Sequence, residues 1–392
     1  MPSVRHVTLC LALGAMSLCC GADKHPPPPH SQSHSSSTPA PDSGAPFATL
    51  PTFPVDALGD CGSTAVELEL VRPNLYFLLD RSGSMAEPIP GTLPQNRFGA
   101  ASVAIEQLLR QIGHRVNFGA SVFPADTSTC GPGEEVQPLG PGDPVSYALS
   151  NEDGPQLQRL VFNLRRVAPE GVTPTAAALT ALHDTLASFS GQTYLFLLTD
   201  GAPNCNAALA CAADQCTANI EMLPYADMKL CDDTVNCCSS DIFGSEACLD
   251  ADATLAAVSA LSDIKVRTFV IGMPGTETYE DLLNQLAQAG GTARPQRPFY
   301  YKATDYDELA DTLKTLGGQA SLGCSIELNQ VPPDPSLVNV FLDDTLIAFD
   351  AADGWSWKDE GTVQLNGPAC DLAQGGQVLQ IQVVAGCPAF LR

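Results

Sequence analysis

Asp80, Ser82 and Ser84 occupy alternate positions in Asp80-Arg81-Ser82-Gly83-Ser84. One carboxylate and two hydroxyls from a single short loop make an all-oxygen donor set, the kind preferred by hard divalent cations such as Mg²⁺, Mn²⁺ or Ca²⁺. Gly83 permits the close backbone bend between the two serines. Mg²⁺ takes about six oxygens in near-octahedral geometry and keeps some waters. One loop therefore cannot finish such a site, and distant segments must add ligands. A lone D-x-S-x-S carries little information, because Asp and Ser are common turn residues that bond their own backbone. Its surroundings give it weight.

Leu75 to Leu79 are five apolar residues running straight into Asp80, the pattern of a buried parallel strand that ends at a loop. Thr193-Tyr194-Leu195-Phe196-Leu197-Leu198-Thr199-Asp200-Gly201 repeats this layout. Between them, Glu170-Gly171-Val172-Thr173-Pro174-Thr175 leads into the alanine-rich stretch 176–187, which reads as a helix with Pro174 at its first turn. Thr173 precedes that helix, and Thr175, past the proline, falls inside it. Val116 to Phe123 and Val266 to Gly272 read as further strands. Residues 97–112, 157–164, 279–289 and 305–316 carry helical spacing, with Pro298 to Lys302 extended. This alternation predicts an α/β domain with a doubly wound, mostly parallel sheet, whose ligands sit beyond the carboxyl ends of the strands at a topological switch point.

These segments, from roughly Leu70 to Gly318, resemble the von Willebrand factor type A family. In that family D-x-S-x-S, a loop threonine and the aspartate of a later Thr-Asp-Gly build a metal-ion-dependent adhesion site (MIDAS). Asp80, Ser82, Ser84, Thr173 and Asp200 match it one by one. The resemblance implies a divalent cation, Mg²⁺ first with Mn²⁺ or Ca²⁺ as alternatives. Ser82 and Ser84 hold it directly, and Asp80, Thr173 and Asp200 contribute directly or through water. It also implies a protein ligand whose Asp or Glu carboxylate completes the coordination shell, so the output is adhesion or assembly and no catalytic residue is assigned. Two other readings stay open. A purely structural cation would serve a surface scaffold. A metal-assisted hydrolase would need a base, and the folded part holds only His114 and His183, with no G-x-S-x-G, H-E-x-x-H or phosphate-cradling glycine loop.

The net charge of −25, from 19 basic and 44 acidic residues among 392, argues against nucleic acid or an anionic membrane surface as the partner. Fifteen cysteines point to an oxidising compartment. Met1 to His6 form a short basic start, and apolar Val7 to Leu18 is too short to span a bilayer and reads as a secretory signal. Leu18-Cys19-Cys20-Gly21 resembles the lipobox of bacterial lipoproteins. Cleavage before Cys20 removes Cys10 and Cys19, lipidates Cys20 and leaves twelve of the fifteen cysteines, an even number. The expected organisation is a lipoprotein-type signal over 1–20, a Pro/Ser-rich tether over 21–60 with solvated His25, His30 and His34, an α/β domain over 61–323 and a small β-rich module over 324–392. The expected location is the bacterial outer membrane or cell surface, with membrane contact only through the N-terminal lipid, or else secretion.

A cysteine-rich insertion at 203–250 holds Cys205, Cys211, Cys216, Cys231, Cys237, Cys238 and Cys248 and leaves directly from Asp200-Gly201, so it projects on the metal face. Seven is odd, so at least one of them must pair outside, with Cys130, in the Pro/Gly-rich loop after the strand Val116 to Phe123, the outside candidate. Cys61 and Cys324 flank the α/β domain and are expected to clasp its ends, leaving Cys370 to pair with Cys387. None of the spacings matches the paired C-x₂-C of structural zinc. In the last module, Ser336 to Asp344 and Gln377 to Val384 read as strands around an Asp353-Gly354 turn. Trp355 and Trp357 share one strand face as core packing, with sugar stacking the alternative.

Overall fold

The computed structural model describes residues 66–68, 70–91, 96–126, 130–321, 323–343, 345–374, 378 and 381–390. The signal segment, Cys20, the tether and Cys61 lie outside them. The chain runs through β1 (Val66–Leu68), β2 (Asn74–Asp80), α1 (Arg97–Ile112), β3 (Asn117–Phe123), β4 (Glu134–Pro141), α2 (Val145–Ser150), α3 (Pro155–Leu164), α4 (Thr175–Ala187) and β5 (Thr193–Thr199). It continues through α5 (Thr217–Ile220), α6 (Ala251–Asp263), β6 (Arg267–Gly272), α7 (Glu280–Ala289), β7 (Tyr301–Lys302) and α8 (Tyr306–Ser321). The last part comprises β8 (Ser325–Glu327), β9 (Val338–Leu342), β10 (Thr345–Ile347), β11 (Trp355–Asp359), β12 (Thr362–Leu365), α9 (Gly367–Gln374) and β13 (Ile381–Ala385).

The main sheet has the order β4-β3-β2-β5-β6-β7, parallel except at β4. β2 is buried along its whole length because both faces are covered, which is why its sequence is nearly all apolar. Leu75, Phe77 and Leu79 point into one core layer with Ile105 and Leu109 of α1, Leu160 of α3 and Leu313 of α8. Tyr76 and Leu78 point into the other, with Leu179 of α4, Val258 of α6 and Leu286 of α7. The fold is thus the expected doubly wound α/β sheet with helices on both sides. Among the described residues no helix is long and apolar enough to cross a membrane.

One segment departs from the sequence reading. The Pro/Gly-rich stretch after β3 has the composition of a loop, yet 134–141 forms β4, antiparallel to β3 with register irregularities. Pro138 and Pro141 are tolerated there because β4 is an edge strand, where a missing N–H need not face a partner.

The C-terminal module holds two small antiparallel sheets, β1-β13-β9-β10 and β11-β12-β8. Its first strand comes from before the α/β domain: Val66 pairs with Ala385 and Leu68 with Val383. Trp355 is fully buried at the centre of the module, and Trp357 meets it edge-on at 5.5 Å. Both tryptophans belong to the core packing. The expected Cys61–Cys324 and Cys370–Cys387 pairs give way to a Cys324–Cys370 disulfide. Cys324 enters β8 and Cys370 lies on α9, and both pack against the one small core that the two elements share.

Candidate metal centre

β2 and β5 are neighbouring parallel strands with Leu79 opposite Leu198, so Asp80 and Thr199-Asp200 emerge side by side at the carboxyl edge. From β2 the chain proceeds to β3 on one side and reaches β5 on the other. The switch point of the sheet therefore lies between β2 and β5, where doubly wound folds place their ligands. Asp80 Oδ1 accepts the Ser82 N–H at 2.7 Å and its Oδ2 accepts the Thr199 hydroxyl at 2.6 Å. Ser84 Oγ donates to Asp200 Oδ1 at 2.8 Å and lies 3.1 Å from Ser82 Oγ. Four of the five predicted side chains thus form one cluster. Asp80, Ser82 and Asp200 make a buried floor, while Ser84 lies on an exposed rim.

The Thr173 loop is tied to this cluster by its backbone. Gly83 N–H donates to Gly171 O at 3.0 Å, and Glu170 N–H donates to Arg81 O at 2.7 Å. Asn204, four residues past Asp200, exchanges two bonds with Thr173: its N–H to Thr173 O, and the Thr173 N–H to its Oδ1, both 2.9 Å. The Arg81 guanidinium staples the neighbouring loops through Pro124 O, Ala125 O and Ala168 O. Thr173 is buried, and its hydroxyl takes no part in the bonds that fix the loop. Thr175 starts α4, with its hydroxyl turned back to Thr173 O at 3.4 Å.

Burial strains the acids electrostatically. Loss of solvent, with the Asp200 charge adding to it, pushes the Asp80 carboxyl up to about 7. Burial also raises Asp200, against the pull of Arg97, whose Nη1 lies 2.5 Å from Asp200 Oδ2 and 3.3 Å from Ser84 O. Glu221, in the insertion, is raised by burial first and by Asp200 as well, and accepts a 2.9 Å bond from the Tyr279 hydroxyl. Sequence reasoning misses Arg97, Thr199, Asn204, Glu221 and Gly275. Thr199 stands inside the Thr-Asp-Gly signal, whereas Arg97, Glu221 and Asn204 carry none. Gly275 has φ +111°, and a Cβ there would stand 2.6 Å from Asp200 O.

Two buried carboxyl groups, of which Arg97 contacts that of Asp200, leave the cluster short of positive charge, and its donors are hard oxygens. That chemistry fits a divalent cation. Two groups of potential ligands also converge, Cys211 with Cys238 and Cys248, and Cys130 and Cys205 with the carboxylate of Glu246. Their cysteines are consumed in the disulfides Cys211–Cys248, Cys216–Cys238 and Cys130–Cys205, which explains the convergence without an ion. Cys231–Cys237 completes the insertion, whose small core consists largely of its own cystines. The odd cysteine of the insertion does pair outward with Cys130, on the β3–β4 loop.

No protein-family model and no curated protein sequence matches the chain. Similar solved structures include the pilus adhesin SpaC from Lactobacillus rhamnosus GG in its open conformation, at 17% identity and TM-score 0.45, covering 82% of this chain and 40% of SpaC. They also include a von Willebrand factor type A structure from Catenulispora acidiphila, at 12% identity and TM-score 0.42, covering 83% of this chain and 60% of that one. A third is the von Willebrand factor domain of the type V pili tip protein Mfa5 from Porphyromonas gingivalis, at 13% identity and TM-score 0.41, covering 65% and 97%. The chain thus spans about two fifths of the length of SpaC. At such distances these likenesses bear no functional weight, and any function must be argued from the geometry of the cluster.

Proposed function

We propose that the protein is an exported surface or envelope component that binds a protein ligand through a divalent cation held at the carboxyl edge of β2 and β5, and that it acts in adhesion or assembly. The observation that carries the reading is the single hydrogen-bonded cluster of Asp80, Ser82, Ser84 and Asp200, drawn from strand ends 120 residues apart in sequence. Ser82 and Ser84 would hold the ion directly, with Asp80, Thr173 and Asp200 direct or through water. When bound, the cation supplies a Lewis-acidic position for an outside carboxylate. The chain's own part is to orient the donors: Thr199 and the Ser82 N–H fix Asp80, and Asn204 fixes the Thr173 backbone.

The exposed rim at Ser84 suits an incoming Asp or Glu of a partner better than a fully enclosed structural ion. Neither histidine supports a hydrolase. His114 lies in the turn before β3, at the amino end of the sheet, and His183 is a partly exposed residue of α4 beside Asp184. The five disulfides among the described residues agree with export to an oxidising compartment. Lipidation at Cys20 would then tether the folded part to a bacterial membrane, with no nucleic acid among its partners. Capture of partners from envelope or extracellular material, with and without EDTA, tests the function. Binding should need the cation and vanish in Asp80→Ala/Ser82→Ala, and a double variant that captures equally well in chelator would refute it.

A further inference from the structure

Arg97 opens α1, with its N–H bonded to Glu87 O at 2.9 Å and its helix capped by Asn96, which accepts from Gly99 N–H at 2.7 Å. Its backbone is therefore fixed, and the side chain reaches over the cluster. Nη1 contacts Asp200 Oδ2 and Ser84 O, two groups of the donor segments themselves. Three features make this contact exchangeable. Nε is buried with no hydrogen-bond partner among the described residues, so the pose leaves one donor unsatisfied. A cation at the first position of a helix sits at the positive end of the helix dipole. The side chain also keeps 16% of its surface in solvent, against none for Asp200, so it has an exit.

A divalent ion drawing on Asp200 would stand close to this guanidinium, and like charges repel strongly in a buried setting. We propose that Arg97 is the resident counter-cation of the site: it neutralises Asp200 in the metal-free protein, is displaced when a divalent ion enters, and so sets the cation affinity. This rests on the metal reading above. Gly275 is part of the same device, because a Cβ there would lie 3.2 Å from Arg97 Nη1 and crowd the pose.

The test is calorimetric titration of the full chain with Mn²⁺, comparing wild type, Arg97→Gln and Asp80→Ala/Ser82→Ala. Arg97→Gln should bind Mn²⁺ about tenfold or more tightly than wild type, because no internal cation must leave. In EDTA the variant should melt below wild type, and in saturating Mn²⁺ the two should converge. A merely structural arginine would lower both melting points alike. Wild type that binds, with Arg97→Gln no tighter, overturns the inference and leaves the metal reading standing. Binding that appears only in Arg97→Gln supports both. Absence of binding in wild type and Arg97→Gln together removes the metal reading and the inference with it.

Discussion

Asp80→Asn should stabilise the metal-free protein, against the ordinary expectation for a change in a buried polar cluster. The carboxyl is fully buried, and in the fold it titrates at about 7, above the ordinary aspartate value of 3.8. Below the lower value both folded and unfolded states hold the proton, and ionisation costs nothing. Between the two, the unfolded chain ionises while the fold keeps its proton, so stability falls as pH rises. Above the upper value the fold ionises too and the loss stops growing. At 1.36 kcal/mol per unit, some three units amount to about 4 kcal/mol at most. Asparagine has the same shape, keeps an oxygen for the Ser82 N–H and can donate its amide to Thr199 Oγ. Urea unfolding in EDTA, repeated from about pH 4 to about pH 8, reads the effect as a midpoint shift. The variant should be the more stable protein near pH 8, with its advantage shrinking toward pH 4. Saturating Mg²⁺ should reverse the order, because wild type binds the ion more tightly and so gains more from it. A variant less stable than wild type in chelator near pH 8, or an advantage that does not change with pH, would refute the electrostatic account of the cluster.

The same proton governs cation binding. Since Asp80 must be ionised to contribute, Mn²⁺ affinity should fall about tenfold per unit below about pH 7 in wild type, and titrations of Asp80→Asn should lack that slope. Gly275→Ala places a side chain at φ +111° and drives its Cβ against Asp200 O, so it should cost about 1–3 kcal/mol in urea unfolding. Removing the Cys130–Cys205 bridge by Cys130→Ser/Cys205→Ser opens a 75-residue loop and should cost about 4 kcal/mol. Limited proteolysis should then cut first within the insertion, while the sheet keeps its circular dichroism.

Much of the site is legible in the sequence because it lies where strong local patterns stop. The apolar runs of β2 and β5 end on Asp80 and on Thr199-Asp200, and hydroxyls recur at every second residue after the first acid. The helix expected over 97–112 is α1, because its apolar face is continuous and Asn96 caps it. Parity points to an outward bond from the insertion, and the place of Cys130 just after β3 makes it the candidate that the structure bears out. Three things cannot be read this way. β4 hides among proline and glycine, residues that an edge strand tolerates and that local propensity assigns to loops. Arg97 looks like any basic residue on a helix, and only the packing of α1 against the strand ends turns it toward Asp200. The β1–β13 pairing and the Cys324–Cys370 bond join segments whose meeting depends on the whole module closing, which no spacing announces.

The central claim is that three separated segments share one cation, and anomalous scattering from crystals grown with Mn²⁺ tests it most directly. A single strong peak within about 2.2 Å of Ser82 Oγ and Ser84 Oγ, with Asp200 and Thr173 around it, is the predicted result. A peak bound elsewhere, with none at these hydroxyls, would contradict the account.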